Sequence, residues 1–310
     1  MTRNQDLLFD ASILLLTKNA GADMKHLLRA VYSQKAAASF EVMAVDSGST
    51  DGTVECLEDF SVPVTRIAPD KFHHARTRNL AASLARGRIL VFLSQDAVPV
   101  DDDWLTTMIA NFSDPRVAAV YGRQIATGSS LERRDLFDEI YGDKKIVKDP
   151  ANRNGMGYRF YHFSDANAAI RRSVWAKVRF PENLKVFEDL GIAKRILDGG
   201  WKIVYEPRAA VVHSHRHSAL GLLKRYFDIG YTLKLLSIWD APGSRQSLLC
   251  DGWKLLRGKV KRLGDKASGR VARRGLGQDL AKSVGFFLGV NQNCLPLALK
   301  KRLSAFRVFG

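Results

Sequence analysis

The chain has 310 residues, 46% of them apolar, which suits one large α/β domain or one domain with an appendage. Its three cysteines, Cys56, Cys250 and Cys294, are too few and too scattered for a disulfide framework or a thiolate metal centre, and they fit a reducing compartment. The formal charge of +16 is lopsided: residues 217–310 hold 18 Lys/Arg against five Asp and no Glu, so the part before them is near neutral.

The first 125 residues alternate short apolar runs with helical spacing. A strand is expected over 12–16 and a helix over 24–34, spaced by Leu27, Leu28, Val31 and Tyr32. A second strand over 40–45 leads to a short helix over 53–60, with Asp51 standing where an N-cap belongs. A third strand over 62–68 precedes a helix over 75–86 that Gly87 closes. A fully apolar strand over 89–93, a helix over 102–112 and a strand over 117–121 complete this half. Between 122 and 162 the pattern blurs, as expected of a mobile excursion over a site. Order returns over 166–170, followed by helices near 172–177 and over 188–197 and by two strands, 202–205 and 209–212. Strands alternating with helices at this spacing mean βαβ units and a mainly parallel sheet.

In such a sheet, ligands bind outside the carboxyl ends of the strands. Polar residues stand at three of those ends: Thr17, Lys18 and Asn19; Asp46 and Ser47; Ser94, Gln95 and Asp96. Asp46 opens the turn Asp46-Ser47-Gly48-Ser49-Thr50-Asp51, and its carboxylate suits a base N–H or a ribose hydroxyl. Arg78, in His73-His74-Ala75-Arg76-Thr77-Arg78-Asn79, carries a planar fork that fits phosphate oxygens, although helix arginines are often simply solvated. His213, six residues after Pro207, is either a satisfied structural group or a ligand. Glu188 and Asp189 head an apolar helical repeat, where acids also favour a helix N-terminus.

Taken together, the run Ser12 to Asn19, the Asp-Ser-Gly-Ser-Thr-Asp turn and the later motifs resemble family 2 glycosyltransferases of the GT-A fold, over about residues 10–240. The resemblance implies a Rossmann-like sheet flanked by helices, with a nucleotide-binding half at 1–125, an acceptor half at 126–217 and a basic, mainly helical region at 218–310. It implies that Thr17, Asn19, Asp46 and Ser47 bind the nucleoside, and that Arg78 and Asn79 lie under the donor with Arg78 near its diphosphate. His74, Ser94, Gln95 and Asp165 join that donor site, with Asn167 beside Asp165. By the same likeness Asp96 and His213 hold Mg²⁺ or Mn²⁺, and Asp189 is the general base of a single inverting displacement. The sequence departs from the family's Asp-x-Asp triplet at Ser94-Gln95-Asp96, which leaves Asp96 as its one anionic ligand. The blocks Phe72-x-His74-x-x-Thr77-Arg78-Asn79 and Ser94-Gln95-Asp96 resemble bacterial rhamnosyltransferases in particular, which favours dTDP-rhamnose as donor over UDP-linked hexoses or N-acetylhexosamines.

The basic region reads as amphipathic near 222–230, and again over 253–274, where nine Lys/Arg interleave with Trp253, Leu255, Leu256, Val260 and Leu263. Helices of that kind lie in the headgroup plane of anionic membranes, with Phe286, Phe287, Phe306 and Phe309 as candidate anchors, or they pack on the catalytic part or on another copy. No secretory signal is apparent and no stretch reaches about 18 uninterrupted apolar residues. The expectation is a cytoplasmic enzyme at the inner face of the membrane, acting on a saccharide or lipid-linked saccharide. Two rivals are weaker. A sugar nucleotidyltransferase would need a Gly-rich basic loop after the first strand, and a nucleic-acid-binding protein leaves Asp46, Asp96, Asp189 and His213 unexplained.

Overall fold

Nine strands form one twisted sheet with helices on both faces in the computed structural model, which describes residues 8–36, 38–126, 141–153, 156–213, 218–246 and 269–309, without the side chains of 269–276. The order of appearance is β1 (Phe9–Thr17), α1 (Ala22–Tyr32), β2 (Phe40–Asp46), α2 (Thr53–Asp59), β3 (Val64–Arg66), α3 (His74–Leu84), β4 (Gly87–Ser94), β5 (Val98–Pro99) and α4 (Trp104–Ala110). Then come β6 (Val117–Ile125), β7 (Ile146–Lys148), β8 (Asn167–Arg171), α5 (Arg172–Val178), α6 (Glu188–Asp198) and β9 (Lys202–Val212). Three helices follow: α7 (Ala219–Leu235), α8 (Gly269–Val290) and α9 (Leu297–Leu303).

The sheet runs β3-β2-β1-β4-β8-β6-β9-β5, with β7 added beside β9. Strands β3, β2, β1 and β4 are parallel; β8 enters antiparallel between β4 and β6, and β6 and β9 are again parallel. The chain steps outward from β1 to β2 and β3, then returns to the other side of β1 as β4. That reversal opens a crevice at the carboxyl ends of β1 and β4.

The central strands are buried on both faces, which is why they read as continuous apolar runs. On one face Ile13, Leu15, Val91 and Leu93 meet Met24, Leu27 and Leu28 of α1 and Trp104, Leu105 and Met108 of α4. On the other, Leu14, Leu90, Phe92 and Ile170 meet Ala81 and Ala82 of α3, Trp175 of α5 and Ile192 and Ile196 of α6.

Several boundaries differ from the sequence reading. Gly87 does not close α3; it opens β4, because a Cβ there would lie 2.4 Å from the Ala11 and Ser12 backbone. The third strand shrinks to Val64–Arg66, and the fifth expected strand continues to Ile125. The two strands expected near 202–212 are one, and β6 accommodates its partner by register shifts at 117/119 and 122/124. The described parts of 122–162 do not form a loose excursion: Tyr141, Phe160 and Tyr161 are buried in the core. Residues 127–140 and 154–155 lie outside the described residues, as do 247–268 with most of the expected basic helix.

The last helices pack closely. Gly285 and Gly289 of α8 sit against the Leu223 and Phe227 carbonyls of α7, where a Cβ would stand 2.1 Å from each oxygen. Of the expected lipid anchors, Phe286 packs on Trp239, Phe306 on Phe187, and Phe309 on Phe227 and Tyr231. Phe287 is the most exposed of that set, and Phe306 is also partly open to solvent.

Candidate functional site

The crevice holds a cavity of about 340 Å³ walled by Thr17, Lys18, Ser47, Ser94, Gln95 and Asp96 from the strand ends, by Phe72, His74 and Arg78 from α3 and its approach, and by Asp165. Pro69 and Phe72, with Leu14, Leu16, Phe92 and Leu93 of the strands, form its apolar surface. Of the expected site residues, Asn19, Asp46, Asn79, Asp189 and His213 are not among its walls.

Asp46 is occupied by the turn it begins. Its Oδ1 accepts from Thr17 Oγ1 (3.0 Å) and Ser49 Oγ (2.5 Å), and its Oδ2 from the Gly48 and Ser49 amides (both 2.9 Å). Burial opposes its charge, but these bonds hold its carboxyl below the ordinary value. Asp46 therefore shapes the turn, and Gly48, with φ 88°, supplies the left-handed step inside it. Asn19 does parallel work: its Oδ1 accepts the Thr50 amide (2.9 Å) and its own amide donates to Ser49 Oγ (2.8 Å). Gln95 ties the β4 end to the β1 end through both Lys18 backbone groups, at 2.8 and 3.0 Å. Asp51 accepts from the Thr53 amide and hydroxyl, one residue earlier than the Gly52 cap position.

Arg78 was expected at a diphosphate, but its fork is filled from within the protein. Nη1 donates to Glu188 Oε1 (2.7 Å), Nη2 to Asp165 Oδ1 (3.0 Å), and Nε lies 2.7 Å from Asp165 Oδ2. Asn79 is likewise buried and fully used: it donates to the Phe180 carbonyl and Glu182, and accepts from Trp175 Nε1 and the Phe180 amide. It fastens α3 to the turn after α5. Asn167 also serves the scaffold, bridging Trp104 Nε1 and the Ala209 carbonyl.

The Arg78 cluster has an excess of acid, with Asp165, Glu188 and Asp189 around one guanidinium. Burial outweighs Arg78 and lifts Asp165 to about 6, with Glu188 pushing the same way. Asp189, which accepts the Leu190 amide at 2.8 Å, is pushed well above its ordinary value by burial and by the Asp165 and Glu188 charges. His74 goes the other way: burial and the adjacent Arg78 lower it to about 4, so it is neutral at pH 7. Phe187, just before the acidic pair, adopts φ 57°, a left-handed conformation that costs a bulky residue on the order of 1–3 kcal/mol.

Asp96 and His213 meet across the crevice, with His213 Nε2 3.3 Å from Asp96 Oδ1. The other ring nitrogen, Nδ1, is 2.8 Å from Gln124 Oε1. An amide oxygen only accepts, so Nδ1 carries a hydrogen and Nε2 is the ring atom that faces the carboxylate. A carboxylate oxygen and an imidazole nitrogen are both ordinary ligands of a divalent metal, so the donor set fits one. Among the described residues no group of three or more His, Cys, Asp or Glu stands ready for one, which leaves further ligands to a bound molecule. Gln124 itself is held by Tyr141 Oη and Ser164 Oγ, both at 2.8 Å. The sequence reading missed Gln124, Ser49 and Phe187. His215, which the sequence offers as a less favoured alternative to His213 as metal ligand, falls outside the described residues.

The sequence model of glycosyl transferase family 2 matches residues 12–179. The O-antigen chain rhamnosyltransferase RfbN of Salmonella typhimurium is 30% identical across 96% of this chain and 95% of its own, and WbaN of Salmonella anatum, of the same description, is 28% identical over the same shares. Among solved structures, the mannosyltransferase PcManGT from Pyrobaculum calidifontis, in complex with GDP-Man and Mn²⁺, superposes with a TM-score of 0.60 at 18% identity, covering 91% of this chain and 88% of that one. S. aureus TarS 1-349 with UDP-GlcNAc gives 0.55 at 16% identity, covering 97% and 90%. These likenesses agree with the sheet and crevice just described: the chain is a glycosyltransferase of family 2, with the GT-A fold.

Proposed function

We propose that the protein moves L-rhamnose from dTDP-rhamnose to a hydroxyl of a saccharide or lipid-linked saccharide, with inversion at the anomeric carbon, in the assembly of a cell-surface polysaccharide. The observation that carries this reading is the similarity to two O-antigen chain rhamnosyltransferases along almost the entire chain. The basic region from 217 onward supports an enzyme held at an anionic inner membrane face, and among the described residues no helix is long and apolar enough to cross a membrane.

In this reading the nucleotide lies in the cavity between Thr17, Ser47 and Phe72, with its diphosphate toward Ser94 and Asp96. Lys18, whose Nζ donates to the Ser47 carbonyl at 3.2 Å, is the cationic wall residue outside the acid cluster. Asp96 and His213 would hold Mg²⁺ or Mn²⁺, which when bound supplies a Lewis acid for the departing diphosphate. Asp189 takes the proton of the attacking hydroxyl. Burial, together with the neighbouring carboxylates, raises its proton affinity, which makes its ionised form a stronger base than an ordinary aspartate. Arg78 keeps Asp165 and Glu188 fixed beside it, while neutral His74 leaves the cluster's charge unchanged.

The test is a panel of sugar nucleotides incubated with purified protein and Mg²⁺, scored by release of nucleoside diphosphate and by thermal stabilisation. The expected responder is dTDP-rhamnose. Exclusive response to a UDP-hexose or UDP-N-acetylhexosamine would overturn the rhamnose assignment.

A further inference from the structure

The segment 304–309 folds back onto the turn that carries the acidic pair. Asp228 of α7, wholly buried, accepts the backbone amides of Ala305 (2.8 Å) and Phe306 (3.1 Å). Lys185 Nζ donates to the Arg307 carbonyl at 3.0 Å. These bonds set the Phe306 ring edge-on to Phe187, with centroids 6.2 Å apart and planes at 82°. Arg225 of α7 completes the stack, its guanidinium 5.6 Å from the Phe187 centroid and 6.0 Å from that of Phe306.

Phe187 immediately precedes Glu188 and Asp189 and holds the left-handed φ of 57°. A bulky side chain keeps that conformation only where its surroundings impose it. Here the Phe306 ring and the Arg225 cation form a close triangle with it, both brought in from beyond the sheet. Edge-to-face rings and a stacked guanidinium are directional contacts, so they orient the turn as well as cover it.

We infer that segment 304–309, latched by Asp228, is a positioning element for the proposed base: it holds Phe187 in its left-handed turn and thereby aims Asp189 from the first turn of α6. The inference rests on reading Asp189 as the base. It assigns a catalytic purpose to part of the region whose charge points at membranes. Phe309 provides the control, since its ring packs on Phe227 (5.8 Å) and Tyr231 (4.8 Å) instead of on Phe187.

Full-length Phe306→Ala, Phe306→Tyr, Asp228→Ala and Phe309→Ala proteins decide the matter. Backbone hydrogen exchange over residues 185–190 is followed by mass spectrometry, alongside turnover of the sugar nucleotide that the wild type cleaves fastest. In Phe306→Ala and Asp228→Ala, exchange there should rise at least tenfold and kcat fall at least tenfold, with donor KM within twofold of wild type. Phe306→Tyr, which keeps the ring edge, and Phe309→Ala should stay within threefold on both measures. Equal losses in Phe306→Ala and Phe309→Ala would reduce the segment to ordinary packing, and unchanged exchange in Phe306→Ala would remove the contact's role altogether. Undiminished turnover in Asp189→Asn would overturn the base assignment on its own, because the exchange result depends on Phe306 and not on Asp189.

Discussion

Replacing Arg78 by methionine separates two roles that a guanidinium in a donor crevice can have. Methionine keeps an unbranched stem and removes the charge, which ends the contacts to Asp165 (2.7 and 3.0 Å) and Glu188 (2.7 Å). The partners' side chains are only 9% and 6% exposed, so water does little to screen what is left. Removing one member of such a buried pair costs about 3–5 kcal/mol, because the remaining carboxylates stay desolvated beside each other. At roughly 2 °C per kcal/mol for a chain of this size, Tm should drop by about 6–10 °C at pH 8.

The pH dependence of that drop has a definite sign. Asp165 titrates at about 6 in the folded protein against 3.8 for the ordinary group, so its charged form is the penalised one. Its favourable contribution to folding is complete below pH 4 and disappears as pH rises through about 6. Loss of Arg78 raises this proton affinity further. The deficit of Arg78→Met relative to wild type should thus be largest at pH 8 and shrink at pH 5, where Asp165 takes up a proton. Differential scanning fluorimetry of both proteins at the two pH values measures it, and adding Asp165→Asn and Glu188→Gln should restore part of the loss at pH 8. If Tm at pH 8 stays within 2 °C of wild type while the donor KM rises tenfold or more, the guanidinium serves the diphosphate and the ion cluster is not its seat.

Two other sites give independent checks. Gln124→Leu removes the acceptor that fixes the His213 ring, and a lost partner of this kind lowers metal affinity by about 10- to 100-fold; Mn²⁺ titration in the presence of a nucleoside diphosphate, followed by thermal shift, should show that weakening. Gly122→Ala places a methyl 1.9 Å from the Ala209 carbonyl oxygen and 2.3 Å from Asn167 Nδ2, beside the register shift between β6 and β9. Overpacking of this kind costs about 1–3 kcal/mol, so the urea midpoint should fall with little change in the slope of the transition.

The parallel half of the sheet was legible because a βαβ pattern gives direction as well as position. Once β1, β2 and β4 are recognised, their carboxyl ends are one edge, and Thr17, Asp46 and Asp96 necessarily approach one another there. The antiparallel entry of β8 was not legible. An Asn-Ala-Ala-Ile run reads the same whichever way it is inserted, and only pairing with β4 and β6 decides it. That pairing delivers Asp165 to the cavity, with the Ser94 amide bonded to the Ala166 carbonyl at 3.0 Å. Gln124 was missed for a related reason, since Gly122 and Arg123 interrupt the apolar run and hide the continuation of β6.

Asp46 and Arg78 share another feature: a residue suited to a ligand is equally suited to its own protein. The run Asp46-Ser47-Gly48-Ser49 carries the signature of an Asx turn, in which the aspartate binds the amides two and three residues on, and those bonds leave its oxygens little capacity for a nucleoside. Arg78 finds its carboxylates 87 and 110 residues away, a separation no local pattern reports. The consequence for chemistry is specific. A guanidinium directed at a phosphate would leave Asp165, Glu188 and Asp189 to repel one another without a counter-ion. Bound to two of the three, it compensates that pair while the third, Asp189, keeps a proton affinity raised by burial and by the neighbouring acids, which suits the base proposed for it.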